Sequence, residues 1–314
     1  MDTNLRHFDI ADAIRAKALQ IGFSACGFAS VCDVPDAVYQ HWQEWIAAGK
    51  HDSMSYMEQH AALRRNPQGL LPDARTVISL ALNYYPSQSI PAGNPRFARY
   101  AYGADYHDVM RRMMGELVEY IQSLQCCDCR CCCDTAPIFE RYWAVQAGLG
   151  FVGRNSQLII PGSGSYFFLG EVLTTLTLQP DQPLKSQCGD CRKCIDACPL
   201  GAIGEDRSID ARRCISCQTI ENRGAIPAEV AQRMGRRVYG CDTCQEVCPH
   251  NCHATPTHIE AFNPRAEFLT LTYQRMRALT QTDFSRIFAG SAVKRAKYQG
   301  LMRNVEALDP NLFE

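Results

Sequence analysis

Cysteine sets the chemistry open to this chain: it holds 18 cysteines in 314 residues, and ten of them fall between Cys188 and Cys252. Cys188, Cys191, Cys194 and Cys198, followed by Pro199, reproduce the bacterial ferredoxin run C-x2-C-x2-C-x3-C-P. Three closely spaced thiolates wrap one cluster and the fourth cysteine ligates another, so one run implies two iron-sulfur clusters. A second run, Cys241, Cys244, Cys248 and Pro249, has the same ending, but aligning the two prolines places Val238 where its first cysteine belongs. Exchange of the fourth cysteines gives one cluster Cys188, Cys191, Cys194 and Cys248. The other then has Cys198, Cys241, Cys244 and a vacancy that Cys214 or Cys217 must fill. Structural zinc needs neither the third cysteine nor the Cys-Pro ending. Disulfides do not suit a chain without a secretory signal.

The elements that must position these thiols are ordinary for a globular protein, with 46% hydrophobic and 21% charged residues and room for two or three units. Residues 9–21 and 36–48 repeat apolar side chains at helical spacing and stop at Gly22 and Gly49. FSACGFAS and TVISLALNY read as strands, and a helix is expected over 108–124. Met54, Tyr56 and Met57 form a cluster that suits either an apolar cofactor face or a core.

CCDCRCCC, residues 126–133, reads as a half-buried strand with Cys127, Cys129, Cys131 and Cys133 on the buried face and Cys126, Asp128, Arg130 and Cys132 opposite. That period of two suits a pleat better than a third metal site. Asp134 then falls at the strand's end, where an α/β sheet meets its ligand. Glu140 and Arg141 open the next helix, and strands alternate with Gly and Ser turns through residue 178.

The net charge of −1 conceals a segregation. Residues 207–237 hold seven Arg against three acids, and residues 263–304 hold eight Lys and Arg against two acids, together +10. Such a face suits a polyanion such as nucleic acid, although two solvated helices would carry the same charge. No apolar stretch approaches a membrane span, so the expected location is the cytoplasm.

DTAPIFER, GLGFVGRNSQLI, GSYFFLGEVLT, the double cysteine run, RRCISC, YGCDTCQEVCPHN and GSAVKRAKYQGLMRN, in this order, resemble the epoxyqueuosine reductase family. The resemblance implies an α/β (α+β sandwich) cobalamin-binding catalytic domain over 1–180 and a ferredoxin-like domain with two [4Fe-4S] clusters over 181–255. A basic helical segment follows over 256–314. It implies reduction of epoxyqueuosine to queuosine at the wobble base of tRNA, the last step of queuosine biosynthesis. It fills the vacancy with Cys214 and leaves Cys217 spare. Asp134 matches the family's proton donor, and Tyr106, His107 and Arg141 match its substrate pocket. By motif position, Met57, Arg99, Arg154, Asn155, Ser156, Gln157, Leu169, Gly170, Cys241 and Asp242 match its corrin contacts.

The implied partners are the anticodon stem-loop of tRNA and a low-potential electron donor such as a flavodoxin or ferredoxin, with the chain a monomer. CCDCRCCC and Cys217 depart from the family's usual pattern, and many members carry a C-terminal helical-repeat extension that this chain ends before. Turning an epoxide into an alkene takes two electrons and two protons and releases water. Asp134 is therefore expected to hold a proton at neutral pH, its pKa raised by desolvation beneath the corrin and nucleoside. A reductive dehalogenase, usually exported by a twin-Arg signal, would share cobalt and clusters. A ferredoxin-like carrier would need neither Asp134 nor cobalamin.

Overall fold

The computed structural model describes residues 3–314, with side chains from Ile10 onward. Four strands form its main sheet: β1 (Ala25–Ser30), β2 (Thr76–Asn83), β3 (Cys129–Cys132) and β4 (Phe167–Thr174). Their spatial order is β1-β2-β4-β3 and every pairing is antiparallel. β2 is buried at nearly every position because it lies inside the sheet and is covered on both faces.

Helices α1 (Thr3–Ile21) and α3 (Tyr106–Leu124) cover one face, and α4 (Glu140–Gln146) covers the other. The helix α2 (Asp36–Ala47) lies beside the second face, where Trp42 meets Phe139 edge-on. Met110, Met113, Met114, Leu117 and Ile121 recur at helical spacing and put one stripe of α3 into the core. α3 begins two residues earlier than the apolar spacing suggests, since the Asp105 carboxylate caps it. At Gly170 on β4 an added Cβ would stand 2.7 Å from the Met110 methyl and 2.9 Å from the Met114 sulfur. Its missing side chain lets α3 close on the sheet.

The cysteine strand corrects the expectation of one buried face. Cys127, Cys129 and Cys133 are half-buried against the α1/α3 side, Cys131 is exposed, and Cys132 is the buried one, in the core under α4. The reason is that both faces of the sheet are covered, so each parity finds a core, while β3 is an edge strand.

The remaining residues share a second core. Phe97, Ala101 and Tyr102 meet Leu200, Ile215, Met234, Val238 and Tyr239 from the cysteine-rich segment, and Phe268, Met276, Phe284, Phe288, Leu301 and Val305 from the C-terminal helices. The buried Asn304 amide donates to the carbonyls of Thr219 and Val238 at 2.7 and 2.9 Å, fastening the last long helix to the cysteine-rich segment. No described helix is long and apolar enough to cross a membrane.

Candidate functional site

One carboxylate organises the open end of the main sheet. Asp105 accepts from the His107 amide at 3.0 Å and holds His107 Nδ1 at 2.7 Å, which turns Nε2 outward onto Asp134 Oδ2 at 3.0 Å. Asp134 follows β3 with φ of +56°, a left-handed turn that a short polar side chain tolerates. This turn, rather than a crossover of parallel strands, delivers the carboxylate, because the sheet is wholly antiparallel. The Asp134 amide donates to Glu140 Oε1 at 2.5 Å. Tyr106 stacks on His107 at 4.1 Å and on Phe168 at 4.3 Å, fixing the imidazole from the side.

Opposing effects set the resting charge of Asp134. Burial pushes Asp134 up, but the His107 hydrogen bond and charge, helped by Tyr106 and Arg295, outweigh it and hold the carboxyl below its ordinary value. The Asp105 and Asp134 hydrogen bonds, against burial, raise His107 from 6.5 to about 9. The proton therefore rests on His107 between two carboxylates, and the Asp134 side chain is 55% exposed.

A stability profile follows from these shifts. The His107 pairing contributes fully below pH about 6.5 and is lost as pH rises through about 9. Asp105 and Asp134, both depressed, contribute above their ordinary range and lose that contribution as pH falls through their folded values. Melting temperatures of the protein and of His107→Gln should converge between pH 7 and 10. A constant gap across that range would contradict the pairing.

Arg295 adds a cation to this end. It pairs with Glu221 at 2.6 Å, lies over the Tyr56 ring at 5.8 Å and acts on Asp134. Tyr56 is 43% exposed and lies within electrostatic reach of both Asp134 and Cys217. Met57 follows it half-buried, Leu169 accepts from the Cys133 thiol at 3.5 Å, and Arg141 is exposed beside Glu140.

The cysteines separate into two groups. Cys188, Cys191, Cys194 and Cys248 line one cavity of about 210 Å³ together with Arg154, Asn155 and His250. Four thiols around one space fit the donor set of an iron-sulfur cluster. Arg154 Nε is buried there without a partner, a donor suited to sulfide or thiolate. Cys198, Cys214, Cys241 and Cys244 form the second group: burial raises Cys214 to about 11, and the nearby Cys241 and Cys198 thiols add to that rise. Cys217 is buried and turned toward Asp52, 3.9 Å away.

The residues matched to corrin contacts are spread widely. Arg99 donates to Asp242 at 3.2 Å and Glu246 at 2.8 Å, so Arg99 and Asp242 face each other rather than an open surface. Arg154 donates to the Gly189 carbonyl at 2.9 Å, buried Asn155 donates to the Cys244 carbonyl at 3.3 Å, and Ser156 binds the Arg207 carbonyl. Gln157 is half-buried in the same turn, with its amide on Asn155 Oδ1 at 3.3 Å. The side-chain face of Gly170 is filled by Met110 and Met114. The Cys241 thiol lies 3.3 Å from the Thr243 hydroxyl.

The fold and the grouped thiols define an iron-sulfur oxidoreductase. Residues 187–251 match the 4Fe-4S double cluster binding domain, and residues 64–135 match the model described as epoxyqueuosine reductase QueG, DUF1730. The chain is 38% identical to an epoxyqueuosine reductase of Cellulophaga algicola over 98% of this chain and all of that protein. It is 39% identical to that of Escherichia coli over 94% of this chain and 79% of the relative. Among solved structures it is similar to an epoxyqueuosine reductase crystallised with an epoxyqueuosine-modified tRNA-Tyr stem loop, with a TM-score of 0.88, 30% identity, and coverage of 96% and 80%. A Bacillus subtilis epoxyqueuosine reductase with its catalytic loop swung out of the active site gives a TM-score of 0.87 at 30% identity, covering 96% and 81%. The chain belongs to the epoxyqueuosine reductase family, and it is an oxidoreductase.

Sequence reasoning missed Tyr56 and Arg295 as parts of the Asp134 end. GSAVKRAKYQG was noticed as a motif, yet nothing in its spacing reveals that Arg295 folds back over residues 56 and 134.

Proposed function

We propose that the protein reduces epoxyqueuosine to queuosine at the tRNA wobble position, using two [4Fe-4S] clusters and cobalamin, with Asp134 as proton donor. The observation that carries this is the Asp105–His107–Asp134 chain, in which one imidazole joins Asp105 at 2.7 Å to the exposed carboxylate of Asp134 at 3.0 Å. Reduction of tRNA-borne epoxyqueuosine by the purified protein tests it.

One group would take Cys188, Cys191, Cys194 and Cys248, and the other Cys198, Cys214, Cys241 and Cys244, each holding one cluster. An exposed tyrosine and half-buried Met57 and Leu169 near an open carboxylate suit a flat ligand with an apolar face and polar edges, which is the form of a corrin. By motif position Arg154, Asn155, Ser156, Gln157, Gly170 and Cys241 would help hold it, together with Arg99 and Asp242. Cobalamin held there would supply a cobalt centre that is strongly nucleophilic when reduced.

The chain's own residues manage the proton. Before substrate arrives Asp134 is ionised and His107 charged. A nucleoside resting on Tyr106, His107 and Arg141 excludes water, which raises Asp134 and lowers His107. The Nε2–H proton then passes to Asp134 and from there to the epoxide oxygen.

In this reading residues 1–180 present the substrate, 181–255 relay electrons and 256–314 help hold RNA. The protein works as a cytoplasmic monomer with a flavodoxin or ferredoxin as donor. Much of the basic excess is already used: Arg223, Arg233, Arg236, Arg237 and Arg303 donate to main-chain carbonyls. Exposed Lys294 and Lys297, flanking Arg295, are better placed for phosphate. Lys294→Ala with Lys297→Ala should lower the salt dependence of tRNA binding by about 1.5 in log–log slope. An unchanged slope would remove these lysines from the interface.

A further inference from the structure

Asp134 meets His107 from a turn that little else holds. Asp134 and Thr135 are exposed, and φ of +56° at Asp134 is a conformation that a short polar residue tolerates without preferring it. Among the described residues one hydrogen bond reaches the Asp134 main chain: its N–H donates to Glu140 Oε1 at 2.5 Å, and its carbonyl accepts none. The side chain has its own bond to His107 Nε2 at 3.0 Å.

The acceptor is as firmly seated as the turn is exposed. Glu140 opens α4, whose Trp143, Ala144 and Ala147 share a core with Ile138 from the intervening loop. At Gly27 on β1 the Ala147 carbonyl occupies the space where a side chain would stand, so α4 is pressed onto the sheet. From this seat Glu140 reaches back six residues and closes the loop 134–139 at its first residue.

We propose that Glu140 is a positioning residue for Asp134, its carboxylate clamping the Asp134 amide so that the acid stays within reach of His107 and of the nucleoside. This rests on the proposed role of Asp134 as proton donor. Glu140 gives up no proton itself; it supplies one acceptor oxygen and thereby fixes where the donor stands. A general acid works only from hydrogen-bond distance of the atom it protonates. A turn free to leave that place costs rate while leaving the rest of the substrate's binding alone.

Charge and hydrogen bond can be separated at this position. Glutamine keeps an Oε1 acceptor at the same reach without the charge, alanine loses both, and aspartate keeps the charge on a side chain too short to reach. His107 reports the result from the other side of Asp134. Its bonds to Asp105 and Asp134 raise it to about 9, so withdrawal of Asp134 must lower it.

The test uses the cluster-loaded protein. In a single turnover with epoxyqueuosine-containing tRNA, Glu140→Ala should convert substrate about 100-fold more slowly than the parent, with unchanged tRNA affinity and iron content. Glu140→Gln should restore most of that rate. In an NMR titration His107 should keep its raised pKa in the parent and in Glu140→Gln, and fall in Glu140→Ala. Both variants lack the charge, so the difference between them belongs to the hydrogen bond. If Glu140→Ala does not fold, Glu140→Asp takes its place with the same expected losses.

A Glu140→Ala protein that turns over at the parental rate, one whose His107 is unshifted, or a Glu140→Gln protein as slow as Glu140→Ala would overturn the clamp while leaving the proposed function intact. If the parent converts nothing, the proposed function is overturned. The clamp then stands on a His107 shift confined to Glu140→Ala and falls without one.

Discussion

Asp134→Asn will keep its clusters and its affinity for tRNA and lose turnover by roughly 10²- to 10⁴-fold, the contribution of a positioned general acid. Asn accepts the left-handed conformation at φ of +56° as readily as Asp, so the turn after β3 survives. What is lost is the ability to take the Nε2 proton of His107, now 3.0 Å away. The imidazole also loses one of its two carboxylates, so its pKa should fall from about 9. An NMR titration of His107 separates this from a folding defect. An Asn variant that turns over normally would remove Asp134 from the proton path.

Cys214→Ser and Cys217→Ser, three residues apart, should behave as opposites. Cys214 lies with Cys198 and Cys241, whereas Cys217 points into the core toward Asp52 at 3.9 Å. Cys214→Ser should bind roughly half the iron of the parent and show no turnover, because one of two clusters lacks a thiolate. Cys217→Ser should keep the full iron complement, with at most a modest stability loss from a polar atom in a buried position. Equal iron loss in both variants would mean that the ligand assignment is wrong.

These two cysteines mark the limit of what the sequence reveals. The ferredoxin spacing is local, so Cys188, Cys191, Cys194 and their partners across the second run are legible from counting alone. The choice between Cys214 and Cys217 depends on which way one turn of helix faces, set by Asp52, 165 residues away. The resting state of Asp134 is not legible for a related reason: desolvation beneath a ligand is foreseeable from position, but the opposing hydrogen bond comes from His107, 27 residues earlier. Period-two spacing put the CCDCRCCC parities on opposite faces as expected. It could not show that the second face would be covered by α4, which buries Cys132, or that β3 would be an edge strand, which leaves Cys131 exposed. Tyr56 stands in a cluster legible as a cofactor face or a core, but its pairing with Arg295 was not, because a cation over a ring across such a chain distance leaves no trace in spacing. The short C-terminal helices were legible, whereas the core they share with the cysteine-rich segment was not.

The central claim is that this fold carries electrons and protons to an epoxide on tRNA. It is tested most directly by anaerobic reconstitution with iron, sulfide and cobalamin, followed by incubation with epoxyqueuosine-containing tRNA and a low-potential reductant. Mass analysis of the released nucleosides should show queuosine replacing epoxyqueuosine, at the loss of one oxygen, only when cobalamin is present. Two bound clusters with no cobalamin uptake and no queuosine would contradict it.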